Sequence, residues 1–167
     1  MTVYTPAPGY KWNAVLIILR CGDELLLLRR KKQPNEGLYV PPGGKIEPYE
    51  RPREAAVREC QEETGFAPTE LHFLAVISET SPTNYNWTTF VYWAEVAKFP
   101  PPELDEGDLD WHPFSEALHL PAPITAKPLY EALYDGRKLV LEVEYNEKRR
   151  PLRMRDELSD TEYKGLE

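Results

Sequence analysis

A chain of 167 residues, 41% hydrophobic and 29% charged, fits one ordinary domain with a core large enough to fold alone. Its formal net charge of −8 disfavours tight binding to a nucleic-acid polymer. A small phosphorylated substrate stays open, because a bound divalent cation supplies positive charge. The longest apolar candidate, Ala14 to Leu28, is interrupted by Arg20, Gly22, Asp23 and Glu24, so no membrane span is expected. The start, MTVYTPAPGYKW, lacks the basic-then-apolar layout of a secretory signal, and a cytoplasmic monomer or homodimer is expected. Cys21 and Cys60 make neither a disulfide framework nor a zinc spacing. His72, His112 and His119 never stand at ligand spacing and read as strand or loop residues.

In chain order, Trp12 to Leu19 and Glu24 to Leu28 are apolar runs around Cys21-Gly22-Asp23, the pattern of a hairpin. The second run ends in Arg29-Arg30-Lys31-Lys32, and polar Gln33 to Gly37 reads as a loop. Leu38-Tyr39-Val40 is a short strand that Pro41-Pro42-Gly43-Gly44 breaks. From Pro52 the residues become good helix formers, with proline suited to the first turn and Gly65 to the position after the last. Leu71 to Ile77 and Thr88 to Val96 read as strands, and Ala97 to Gly107 as an acidic, proline-rich loop. Asp110-Trp111-His112-Pro113 resembles a strand end, with Ser115 a candidate helix cap. Thr125 to Tyr134 reads as a helix stopped at Asp135-Gly136, and Leu139 to Tyr145 alternates like a last strand. The sequence thus divides into one domain over 1–145, with its core at about 12–145, and a charged segment over 146–167, the last ten or so residues expected to be mobile. The element order predicts an α/β (α+β) fold, a mixed sheet with helices around it.

The chemistry concentrates in Gly44 to Phe66, GKIEPYERPREAAVRECQEETGF. On a helix, Glu59, Glu62 and Glu63 fall within an arc of about 100°, next to an arc of Ala56, Val57 and Cys60 that can pack on the sheet. Like charges at these spacings cost roughly 0.2–0.5 kcal/mol per pair, and carboxylates near the negative end of a helix about 0.3–1 kcal/mol each. Such local conflict points to a site. Divalent cations relieve it, and oxygen-only ligands favour Mg²⁺ or Mn²⁺ over zinc. The competing reading is a solvated helix held by Glu54–Arg58 and Arg58–Glu62 pairs at i+4.

The flanking residues decide between them. Gly44, Glu50, Arg58-Glu59, Cys60, Glu62-Glu63, Gly65 and Phe66 stand at the spacing of the Nudix hydrolase signature, which the sequence resembles at every fixed position. A chance match is on the order of one in 10⁸ per start. The resemblance implies a mixed sheet between helices, with the signature as loop–helix–loop, and hydrolysis of a phosphoanhydride in a nucleoside-diphosphate-type substrate. It implies that Glu59, Glu62 and Glu63 bind Mg²⁺, with the Gly43 carbonyl as a further ligand. Arg58 would orient a carboxylate, Glu50 would tie the loop down, and Lys45 would reach a phosphate. Gly44 and Tyr39 complete the expected substrate contacts. A later carboxylate is expected from Asp105-Glu106-Gly107, Glu106 rather than Glu103 or Asp105, and Glu59 and Glu106 are the candidates for general base.

Outside the signature the chain is similar to the MutT-type 8-oxo-dGTP diphosphatases in Asn35-Glu36-Gly37-Leu38-Tyr39, in the Glu106 to Trp111 spacing and in the closing helix and strand. It departs from them at Tyr39, where tryptophan is usual, at Val40, where some members place an asparagine, and in Leu120 to Thr125, which lacks acidic and aromatic residues. Pro82 resembles a feature of the ADP-ribose-hydrolysing branch. Tyr85, Trp87 and Tyr92 offer faces for a base, against a reading as core and hairpin aromatics. A nucleotide sensor without activity would be expected to have lost one of Glu59, Glu62 or Glu63.

Overall fold

The computed structural model, described for residues 7–167, is organised by its first strand, β1 (Trp12–Cys21). Met1 to Pro6, read above for a leader, lie outside the described residues. One edge of β1 pairs in parallel with β6 (Trp87–Glu95) along its whole length, from Trp12 opposite Trp87 to Arg20 opposite Glu95. The other edge is divided. Arg20 and Cys21 pair with β2 (Glu24–Arg30) around the turn, whereas Ala14 to Leu16 pair with β4 (Gly43–Lys45). Beyond the turn, β2 leaves β1 and pairs with β3 (Tyr39–Val40) and β7 (Gly107–Pro113). The expected hairpin is therefore short, and Gly43-Gly44 belongs to a strand rather than only to a break. A Cβ on Gly43 would stand 2.2 Å from the Val15 carbonyl oxygen, so only glycine lets β4 lie this close.

The rest of the mixed sheet continues from β6 to β5 (His72–Thr80), then β8 (Leu139–Tyr145), β9 (Pro151–Asp156) and β10 (Thr161–Tyr163). The last two strands correct the expected organisation, in which the domain ended at residue 145. Met154 is buried in the core, and the buried Asp156 carboxylate accepts hydrogen bonds from the backbone N–H groups of Val140, Leu158 and Ser159. High charge concealed the strands, because β9 is an antiparallel extension of the sheet whose outward residues are arginines.

Alternation along β1 and β2 sends apolar side chains to both faces. Val15, Ile17, Leu19, Leu26 and Leu28 pack under α1 (Pro52–Thr64), while Ile18, Leu25 and Leu27 pack under α3 (Ala126–Asp135). Each fully buried leucine contributes roughly 1.5–3 kcal/mol. Helix α1 meets the sheet through the small residues Ala55, Ala56 and Cys60, which bring its backbone, and hence its glutamates, close to β1 and β4. It stops where Gly65 turns left-handed at φ 73° and donates its N–H to the Gln61 carbonyl. Ser115 lies inside the four-residue helix α2 (Phe114–Ala117) rather than capping it, Pro113 taking the cap position.

Candidate active site

Arg58 is the hub of the signature helix. Its Nε and Nη2 donate to the two oxygens of Glu50 at 2.7 and 2.9 Å, Nη1 donates to Glu59 at 2.8 Å, and Nη2 also donates to the Lys45 carbonyl at 3.0 Å. The guanidinium holds the Glu50 carboxyl below the usual carboxylate range, and Glu50 takes a second bond from the Glu47 N–H at 2.9 Å. Loop, β4 and helix are thereby fixed to one another, and Glu59 is oriented by a planar fork. Of the two i+4 pairs weighed from sequence, Arg58–Glu62 forms at 3.3 Å, whereas Glu54 turns back to Arg51 at the helix start.

Glu63 points into the structure, and its Oε2 accepts the Gly43 N–H at 3.1 Å. Burial pushes its pKa up to about 7, with the charges of Glu59 and Glu106 adding to the rise and Arg30 opposing it. Burial also raises Glu59. Gly44 lies against the Glu59 carboxylate so closely that a Cβ there would stand 2.4 Å from Oε1.

A cavity of about 610 Å³ opens beside these groups and is lined by Gly43, Gly44, Lys45, Glu59, Glu63 and Glu106. Glu106 is the member of the acidic loop that reaches it; Glu103 and Asp105 do not. Two residues expected at the site stand elsewhere. Glu62 has its side chain 58% exposed and meets only Arg58, outside the cavity lining. Tyr39 packs its ring edge on His112 at 5.2 Å against the α3-side core, while its neighbours Val40 and Pro41 line the cavity instead. Pro82 also lies away from it. Of the three aromatics, Tyr85 and Trp87 line the cavity, and Tyr92 is buried in the α1-side core.

Sequence reasoning passed over Arg30, Glu79, Thr89 and Thr125, which also line the cavity. Arg30 was hidden in a basic run, and its guanidinium is held by the Pro34 carbonyl at 2.7 Å. A signal for Glu79 does exist. It continues the inward alternation of Ala75 and Ile77 on β5, where a charged residue breaks the pattern of a core-facing strand.

Among the described residues no three His, Cys, Asp or Glu side chains are drawn together at metal-ligand spacing. The donor chemistry nonetheless fits a hard divalent cation. Glu59, Glu63 and Glu106 share one cavity, supply only oxygen, and outnumber the cations facing them; Glu63 is raised first by burial, with the charges of Glu59 and Glu106 adding to the rise.

An acidic helix seated on a divided mixed sheet, with an arginine hub behind it, gathers oxygen donors suited to a hard divalent cation. The family model of the NUDIX domain matches residues 9–133, and the chain belongs to the Nudix family of hydrolases, which use divalent metal ions. The mutator MutT protein from Bacillus halodurans superposes with a TM-score of 0.78 at 26% identity, over 88% of this chain and 98% of that one. A putative 8-oxo-dGTP diphosphatase from Bacillus subtilis is 44% identical over 57 residues, 34% of this chain and 36% of the relative. An ADP-ribose pyrophosphatase from Methanocaldococcus jannaschii is 41% identical over 61 residues, 36% of each protein. The chain thus spans about a third of the length of either of these two relatives. No helix among the described residues is long and apolar enough to cross a membrane.

Proposed function

We propose that the protein is a pyrophosphohydrolase of nucleoside triphosphates, favouring an oxidised purine deoxynucleotide such as 8-oxo-dGTP and yielding the monophosphate and pyrophosphate. The observation that carries this reading is the cavity itself, which joins Glu59, Glu63 and Glu106 to Ile77, Tyr85 and Trp87. Charged and aromatic walls in one hollow suit a molecule that is anionic at one end and flat and apolar at the other. The similarity to MutT and to an 8-oxo-dGTP diphosphatase supports the choice of substrate.

In this reading Glu59, Glu63 and Glu106 hold Mg²⁺, Mn²⁺ being an alternative, with the Gly43 carbonyl as a further oxygen. Bound there, the cation would neutralise phosphate charge and lower the pKa of a water. Glu59 or Glu106 would accept the proton of a water attacking phosphorus, with pyrophosphate as the leaving group. Lys45 and Arg30 meet phosphate oxygens at the cavity wall, while Arg58 and Glu50 keep Glu59 and the loop in place. Glu62, exposed beside Arg58 and outside the cavity lining, would join the metal ligands only by turning its side chain inward. The expected setting is the cytoplasm, where nucleotide pools reside.

Product formation followed by ion-exchange chromatography with Mg²⁺ tests this across 8-oxo-dGTP, the ordinary dNTPs, ADP-ribose, dinucleoside polyphosphates and nucleotide sugars. A preference for 8-oxo-dGTP by about two orders of magnitude in kcat/KM supports the reading. ADP-ribose on top, which the second relative favours, keeps the chemistry and replaces the substrate. No product from any member points to a nucleotide sensor.

A further inference from the structure

One carboxylate in the cavity has no part in the chemistry above. Glu79 sits near the end of β5, on the sheet face opposite to α1, and lines the same hollow as Glu59 and Glu63. Its surroundings are built. The Tyr145 hydroxyl donates to Oε1 at 2.7 Å, and the Tyr85 hydroxyl approaches the same oxygen at 3.4 Å, the outer limit of a hydrogen bond. Oε2 receives no hydrogen bond from the described residues. The nearby Lys11 ammonium is committed elsewhere, donating to the Glu79 carbonyl at 2.6 Å and the Thr80 hydroxyl at 2.8 Å. The side chain is therefore fixed by one oxygen and offers the other. Tyr85 and Trp87 stand beside it, their rings 6.4 Å apart and inclined at 64°.

We propose that Glu79 is a specificity-determining residue, whose carboxylate accepts the adjacent N1–H and N2–H donors of a guanine-type base lying against Tyr85 and Trp87. The proposal rests on the reading of this cavity as a nucleotide site and goes beyond it by assigning the base-reading group. The chemistry selects among bases. Guanine, oxidised or not, presents two neighbouring donors on its Watson–Crick edge. Adenine and cytosine place a ring-nitrogen lone pair beside their amino group, and thymine flanks its single N–H with two carbonyls, so each of these sets an acceptor against the carboxylate. A site that hydrogen-bonds a donor edge rejects analogues lacking it far more strongly than an apolar pocket rejects a change of size. Val40 lines the cavity with a side chain that cannot hydrogen-bond a base, so recognition from the β5 side supplies what that position lacks.

The test compares the full-length protein with Glu79→Gln, whose amide keeps the shape and an acceptor for Tyr145 while replacing part of the carboxylate by a donor. Two readouts are taken: kcat/KM for dGTP, 8-oxo-dGTP, dITP and dTTP with Mg²⁺, and calorimetric binding of dGMP, dIMP and dTMP. In the wild type, guanine nucleotides should exceed dTTP and dTMP, with the hypoxanthine forms between because they lack the 2-amino donor. In Glu79→Gln, the guanine values should fall at least 10-fold while those for thymine change less than 2-fold. Equal falls for all bases, or an unchanged guanine preference, would overturn the assignment even while hydrolysis stands. Retained guanine-selective binding that Glu79→Gln abolishes, without turnover of any triphosphate, would keep Glu79 as the base reader and remove the hydrolytic reading. A wild type with no guanine preference in either readout would overturn the proposal, and Tyr145→Phe, which keeps the carboxylate but releases the oxygen that Tyr145 holds, should weaken the preference without abolishing it.

Discussion

Replacing Glu63 by glutamine should make the cation-free protein more stable and the enzyme nearly inactive. The Glu63 carboxyl is pushed from 4.5 up to about 7, first by burial and then by the charges of Glu59 and Glu106. A native acid with a raised pKa binds its proton more tightly than the unfolded chain does. Its contribution is fully present below pH 4.5 and is lost as pH rises through about 7. At 1.36 kcal/mol per decade of proton affinity, the loss amounts to about 3 kcal/mol. Glutamine keeps an acceptor for the Gly43 N–H and carries no charge, so the variant should lack this part of the pH dependence. Urea unfolding after chelation, at steps from pH 4.5 to 8, measures it: the wild-type curve should descend relative to the variant by about 3 kcal/mol across that window. Addition of Mg²⁺ or Mn²⁺ at pH 8 should restore the wild type, by about 2.7 kcal/mol at 100 times Kd, and the variant much less. Activity should fall at least about 10²-fold in kcat. Parallel pH curves for the two proteins would refute the electrostatic argument, and a fully active folded variant would remove Glu63 from the metal site.

The remaining predictions follow from contacts on the same elements. Gly44→Ala places a Cβ 2.4 Å from the Glu59 carboxylate, which must move; kcat should fall roughly 10²-fold, as for a misplacement of about 1 Å, with the melting temperature little changed. Arg58→Lys removes the fork that grips Glu50 and Glu59 together and should lower activity about 10- to 100-fold, more than Glu62→Gln if geometry ranks the carboxylates. Asp156→Ala leaves the partly buried N–H of Val140, and those of Leu158 and Ser159, without their partner and should destabilise by about 1–3 kcal/mol in urea titration, with kcat retained. An unaltered stability would show that β9 and β10 are not integral to the sheet.

The signature was readable because its fixed residues each answer a local demand. Gly65 takes a left-handed conformation, Gly44 lies against a carboxylate, and Arg58 binds three acids from one planar group. The apolar run of β1 and the alternation of β8 were readable for the same reason. Pairing was not. Nothing local tells that β1 runs parallel to β6, or that its second edge is shared between β2 and β4, yet this division places β4 and its glycines beside α1. The terminal strands escaped because a sheet extension needs only one buried face, and Met154 and Asp156 are the only residues of β9 that are buried. Tyr39 and Glu62 show the converse limit. Both have the residue type a site would use, but one residue along a strand or one position round a helix turns a side chain away from the cavity. Glu79 marks where the two kinds of information meet. Its chemistry is plain in the sequence, and its alternation with Ile77 indicates a buried face, but only the approach of β8, which brings Tyr145 to its carboxylate, makes it a group with one oxygen held and one to offer.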